Sequence, residues 1–396
     1  MTANLPDIVD LTLEEKIGQM LCLGWGGADC LLRVNDQARE CVRDLQAGGM
    51  IVMGRNVQAQ TKPLPPIDAA GVRAMLEELQ SLARIPLLVG TDQEGGRVAR
   101  FGSAPFTRLP PAKTIGATGD PALAGEAARI TAVELAAVGV NWNFAPDADV
   151  NSNPQNPVIG DRSFGDMPET VAQMAAAQVE GYRAGGILAC AKHFPGHGDT
   201  ALDSHYALPT LPHYRATMNA RELVPFRAAI AAGVSSIMTA HILFPAVDSS
   251  GLPATMSHAI LTGLLRQELN FGGLIVTDCM EMKAVSDTWG TPRAAVLAAI
   301  AGADMLLICH TLERQRATRD ALLATAHSGE LPLSRIDDAV SRIFAAKRLL
   351  AAMPPPPSLE RIGAPEHAAF LRAFSSPAMS PPADDAPTTL GAEAPL

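Results

Sequence analysis

The chain has 396 residues, of which 47% are hydrophobic and 18% charged, enough apolar surface for one large α/β barrel or two medium domains. Its formal net charge of -10 offers no basic face to nucleic acid and no attraction to an anionic membrane. No run of about 18 apolar residues is present, so no membrane helix is expected, and the opening MTANLPDIVDLTLEEK lacks the basic and apolar regions of a secretory leader.

Thr12-x-x-Glu15 has the pattern of a capping box at the start of a first helix. Eight short apolar runs then follow along the chain, at 19–24, 49–54, 85–91, 138–145, 187–193, 235–241, 273–278 and 303–310. They are apolar throughout rather than alternating, which fits parallel strands buried on both faces. Between them, apolar residues three and four apart predict helices at 69–83, 122–137, 168–184, 220–232, 258–268 and 292–301. Alternating β and α units of this number predict a single (β/α)8 TIM barrel over residues 1–352. An open doubly wound sheet is the alternative, but no G-x-G-x-x-G opens a helix. Ser334-x-x-Asp337 predicts the cap of a last helix, whose Ile336, Val340, Ile343, Phe344 and Leu350 would close the barrel wall. Residues 353–396 are rich in Pro, Ala and Ser; a short helix is expected near 366–373 and disorder from Ser375 onward.

Cys22, Cys30, Cys41, Cys190, Cys279 and Cys309 are scattered without CxxC spacing. They read as buried, reduced thiols of a cytoplasmic protein rather than a disulfide framework.

In a barrel of this kind, chemistry sits where the strands end. Run three ends in Asp92-Gln93-Glu94-Gly95-Gly96-Arg97, and run four leads to Asp147, Asp149 and the segment Asp161–Gly165 that carries Arg162. Run five ends in Lys192-His193, run six in His241, run seven in Asp278 and run eight in His310. A carboxylate ending a buried strand, such as Asp278, must be a helix cap, be paired, or act as nucleophile or base. Lysine is scarce here beside arginine, so Lys192 at a strand end reads as a ligand clamp. Phe194–Gly198 reads as a tight turn, with His197 bonded to its own loop. Asp203 lies two residues before His205 and can orient its imidazole for general acid/base work. Asp92 and Arg162 suit sugar hydroxyls as acceptor and donor. Glu94 and Arg97 either join them or brace the Gly95-Gly96 turn, and Asp147, Asp149 and His310 read as structural.

Taken in order, Asp92–Arg97 (DQEGGR), Arg162–Gly165 (RSFG), Lys192–Gly198 (KHFPGHG), Asp203–His205 (DSH) and Val276–Asp278 (VTD) resemble glycoside hydrolase family 3. Within it, they resemble the β-N-acetylglucosaminidases of bacterial cell-wall recycling. The resemblance implies a β-N-acetylhexosaminidase that removes non-reducing N-acetylglucosamine from muropeptide fragments through a covalent glycosyl-enzyme. Asp278 would be the nucleophile, and His205, oriented by Asp203, the acid/base on a mobile loop. Asp92, Arg162, Lys192 and His193 would hold the sugar, with Arg97 on the same wall. No cofactor, metal, nucleic acid or membrane is implied, and a monomer is the default expectation.

Two departures stand out. Cys279 follows the nucleophile where relatives often carry a second Asp. An α/β sandwich of the kind many two-domain relatives add after the barrel is not expected in residues 353–396. Because an imidazole does not repel an anionic acceptor, phosphorolysis is an alternative, as is β-glucosidase activity on the same site. A metal-dependent hydrolase using His193, His197, His205, His241 and Asp278, and a non-catalytic sugar-binding barrel, are readings of a different class.

Overall fold

Strands that are apolar on both faces must satisfy their amides with one another and cover both surfaces with side chains. In the computed structural model, which describes residues 5–374, the eight runs do this by closing into a parallel barrel. The strands are β1 Leu21–Leu23, β2 Gly49–Ile51, β3 Leu88–Thr91, β4 Trp142–Asn143, β5 Leu188–Phe194, β6 Ser236–Thr239, β7 Leu274–Cys279 and β8 Met305–Ile308. Each pairs with its neighbour in sequence, and β1 closes the ring on β8 through Leu21–Leu306 and Leu23–Ile308. β4 begins later than its apolar run because Val138 still belongs to the preceding helix.

Helix α1, Leu13–Gln19, leads into β1 behind the expected Thr12/Glu15 capping box. The connecting helices are α2 Asp36–Arg43, α3 Ala69–Leu82, α4 Pro121–Val138, α5 Pro168–Ala184, α6 Leu223–Ala231, a π-type helix Ala259–Glu268, α7 Thr291–Ala301 and α8 Leu312–Ser328. Helix α9, Leu333–Ala351, buries Ile336, Val340, Ile343 and Phe344 against the barrel, while Leu350 is only half-buried. Its predicted Ser334 cap is not formed. Pro332 occupies the cap position with φ -62°, the value its ring imposes, so the chain turns helical before Ser334 is reached. Asp337 instead pairs with Lys16 Nζ at 2.7 Å and ties α9 to α1.

The barrel interior is filled by side chains. Trp142 and Phe144 are fully buried and meet edge-on, with ring centroids 4.6 Å apart. A Cβ on Gly90 would come within 2.6 Å of the Phe144 ring, so glycine at that point of β3 makes room for the aromatic layer. Burying one such ring contributes roughly 1.5–3 kcal/mol.

Beyond α9 the chain returns to the wall. A turn at Leu359–Arg361 precedes a short helix at Pro365–Leu371, where one was expected. Glu134 of α4, 3% exposed, anchors this segment. It accepts from Thr107 N at 2.8 Å and Gly363 N at 3.0 Å, and meets His367 Nδ1 at 2.7 Å. Phe370 and Phe374 pack on a small second core around Ile115, Phe164 and Met174. The tail from Ser375, expected to be disordered, lies outside the described residues.

Candidate active site

Parallel strands deliver the residues after their C-terminal ends to one face. There, a cavity of about 540 Å³ is lined by Asp92, Arg97, Arg162, Lys192, His193, Asp203, His205 and Asp278, the eight residues to which the family resemblance gives a catalytic or sugar-binding role.

The floor is a charged cradle. Lys192 Nζ, on β5, donates to Asp92 Oδ1 at 2.9 Å and sits 2.6 Å from Glu94 Oε1. Arg162 grips both Glu94 oxygens, Nε and Nη2 each at 2.9 Å, in the parallel fork that guanidinium and carboxylate share. Burial alone would raise the pKa of Asp92, but Lys192 and Arg100 hold it below the usual carboxylate range. Burial likewise opposes ionisation of Glu94, yet Arg162 and Lys192 bring it down to about 2. The same carboxylates more than offset the burial of Lys192 and Arg162 and hold both firmly protonated. The cradle therefore presents fixed donors and acceptors to a polyhydroxylated ligand.

A second layer orients His193. Its Nδ1 lies 2.7 Å from Asp149 Oδ2, and its Nε2 faces Arg162 Nη2 at 3.3 Å. Asp149 also accepts from His197 N at 2.6 Å and so pins the turn after β5. Asp147 is different. Its Oδ2 is buried without a hydrogen bond, and burial plus the Asp149 charge push its carboxyl well up, towards the neutral form. His197 bonds its own loop, as expected, through Ser204 Oγ at 3.0 Å and Thr200 Oγ1 at 2.8 Å.

The rim carries the candidate proton-transfer pair. Asp203 Oδ1 accepts from His205 N at 2.8 Å and meets its Nδ1 at 2.7 Å. That bond, helped by Asp278, raises the His205 pKa against the effect of burial. The imidazole side chain is 57% exposed, so its other nitrogen is free to face the cavity. Asp278, at the end of β7, accepts at Oδ1 from Cys279 N at 2.7 Å. Burial works against its ionisation, but His241, His193 and His205 prevail and keep it a carboxylate.

Arg97 lines the cavity, but its guanidinium is engaged by the neighbouring loop. It pairs with Asp161 at 2.9 Å and donates to Val158 O at 2.7 Å. Arg162 takes Glu94 as its partner. The five residues of the metal-hydrolase reading do not form one ligand group. The metal-capable groups among the described residues are Cys279–Cys309–His310 and Asp147–Asp149–His193. Sequence reasoning underrated Glu94, which joins both cations, and Asp149, which orients His193. Their signal was burial of an acid near a strand end, and their partners lie far along the chain.

A profile of the "Glycosyl hydrolase family 3 N terminal domain" matches residues 12–346. β-Hexosaminidase A of Pseudoalteromonas piscicida is 38% identical over 327 residues; the match covers 76% of this chain and 54% of that protein, so the chain spans about half of its length. A family 3 β-N-acetylglucosaminidase from Paenibacillus sp. str. FPU-7 superposes with a TM-score of 0.84 and 43% identity, over 92% of this chain and 68% of that one. A β-glucoside phosphorylase superposes with a TM-score of 0.80 and 28% identity, over 92% of this chain and 64% of its own. With an eight-stranded parallel barrel, this array of residues at its strand ends and a profile match along most of its length, the chain belongs to glycosyl hydrolase family 3, a family of glycoside hydrolases.

Proposed function

We propose that this chain is a retaining β-N-acetylhexosaminidase that removes terminal N-acetylglucosamine from β-linked oligosaccharides. The observation that carries this reading is that Asp278 and the Asp203–His205 pair line one cavity floored by the Asp92/Glu94/Arg162/Lys192 cradle. The names of the relatives, a β-hexosaminidase and a β-N-acetylglucosaminidase, support the choice of sugar.

In the first step the Asp278 carboxylate attacks the anomeric carbon. The bond to the leaving oxygen breaks as His205 protonates that oxygen. In the second, His205 takes a proton from water, the hydroxide oxygen bonds to the anomeric carbon, and Asp278 leaves as a carboxylate. Asp92, Lys192 and His193 hold the ring hydroxyls, with Arg162 held in place by Glu94. Retaining enzymes usually place two carboxyls about 5–5.5 Å apart; here an imidazole on a loop takes the place of one. 4-Nitrophenyl sugars that differ only at C2 test the specificity. Preference for the acetamido sugar over glucose is expected, and equal or better turnover of the glucoside assigns a β-glucosidase instead.

The resemblance of the motifs to cell-wall-recycling enzymes supports peptidoglycan fragments as the natural substrate class, and the free, buried cysteines fit action in the cytoplasm. Higher kcat/KM for a muropeptide than for chitobiose is the expected result; the reverse order refutes it. Phosphorolysis is a second reading, favoured by the imidazole acid/base and by the phosphorylase among the similar structures. Release of the sugar 1-phosphate only when phosphate is added would establish it. Free sugar in both conditions excludes it.

A further inference from the structure

One cluster of chemically active side chains lies beside the candidate nucleophile yet takes no part in the cradle. Cys279 ends β7, and Cys309 and His310 directly follow β8, the neighbouring strand. The two sulfurs and an imidazole nitrogen all lie within 4.8 Å of one another. Zinc held at ~2.3 Å by sulfur and ~2.0 Å by nitrogen spaces tetrahedral ligands roughly 3.5–3.8 Å apart, so rotamer adjustments of about 1 Å close the set.

The backbone that carries these residues is already held. Glu281, 8% exposed, accepts from His310 N at 2.6 Å and Thr311 N at 3.1 Å. Arg55 Nη2 donates to Cys309 O at 2.8 Å, and His241 Nε2 lies 3.0 Å from Cys279 O. Carboxylate and carbonyl contacts of this kind fix ligand-bearing segments before an ion arrives. Both cysteines are free, and all three residues line the cavity, which supplies an entry path.

We propose that Cys279, Cys309 and His310 form a binding site for a soft divalent cation, represented by Zn²⁺, with the fourth coordination position open to the cavity. Two thiolates and one imidazole suit zinc better than magnesium or calcium, which prefer oxygen ligands. On binding, both thiols lose their protons to solvent and the ion takes their place. Because Cys279 adjoins Asp278, the bound ion draws the Asp278 carboxylate towards it and occupies part of the cavity, so it inhibits turnover. The inhibition rests on the glycosidase reading above; the binding does not.

The test uses the full chain in a non-thiol reductant. Co²⁺ added to the wild-type protein is expected to give a thiolate-to-cobalt charge-transfer band that saturates at one ion per chain and disappears on adding Zn²⁺. Cys309→Ser and His310→Gln are each expected to weaken binding by about tenfold or more, since even outer partners of metal ligands are worth 10–100-fold. Zn²⁺ should inhibit the wild type reversibly, with activity restored by chelator, and should inhibit both variants far less. Absence of the charge-transfer band overturns the site, whether or not the variants fold. Undiminished zinc inhibition in both folded variants overturns the assignment of its ligands. A saturable band with no glycosidase activity under any condition overturns the glycosidase reading and leaves the site standing.

Discussion

Asp203→Asn tests the proton-transfer assignment most directly. In the wild type Asp203 Oδ1 lies 2.7 Å from His205 Nδ1 and raises the imidazole pKa. A hydrogen bond to a charged group nets ~1.5–3 kcal/mol, but the His205 side chain is 57% exposed, so solvent screening reduces this to ~1 kcal/mol. Loss of the Asp203 carboxylate should therefore lower the His205 pKa. The first step requires protonated His205, so a lower pKa removes the acid form sooner as pH rises. The alkaline limb of kcat/KM should therefore shift to lower pH. Turnover should also fall by roughly 10²–10⁴, because the asparagine NH₂ can donate to Nδ1 and favour the neutral Nε2–H tautomer, which cannot take the proton from water in the second step. The loss should be larger for an alkyl glycoside than for a 4-nitrophenyl glycoside, whose leaving group needs little proton assistance. The assay is the pH dependence of kcat/KM with both substrates. An unmoved alkaline limb together with equal losses for the two leaving groups would refute the reasoning.

Three other outcomes are expected. Asp278→Ala should lose nearly all turnover while still binding the sugar product in calorimetry; wild-type-like turnover would remove Asp278 as nucleophile. Glu94→Gln leaves Lys192 and Arg162 short of one buried counter-charge, at a cost of about 3 kcal/mol. At ~2.1 cal/mol/K per residue this lowers Tm by roughly 4 °C, with a rise in KM; an unchanged melting curve and KM would contradict it. Gly198→Ala would put a Cβ into the Val150 carbonyl. It should destabilise the turn that Asp149 pins, lowering both Tm and kcat, and a variant that melts and turns over like the wild type would show that the backbone gives way there.

Local patterns carried much of this molecule. The strands were legible because each is a short apolar run with polar or Gly/Pro residues at its end, and the residue that ends the run is the one presented to the cavity. Lys192, His193 and Asp278 were found in this way. Asp203 and His205 were legible because their contact spans two residues. Glu94 and Asp149 were not, because their value lies in partners far away: Arg162 stands 68 residues from Glu94, and His193 stands 44 from Asp149. The Ser334 cap misled because Ser-x-x-Asp is a local signal that Pro332, two residues earlier, pre-empted.

By itself the sequence determined the eight strands, their burial on both faces and the side chains available where they end, because periodicity and turn chemistry are properties of neighbouring residues. The tertiary structure decided which acid neutralises which cation, that Arg97 braces a loop, and that Cys279 meets Cys309 and His310 beside Asp278. Those outcomes depend on barrel closure, which brings distant strand ends together at hydrogen-bonding range, and no spacing along the chain encodes that proximity.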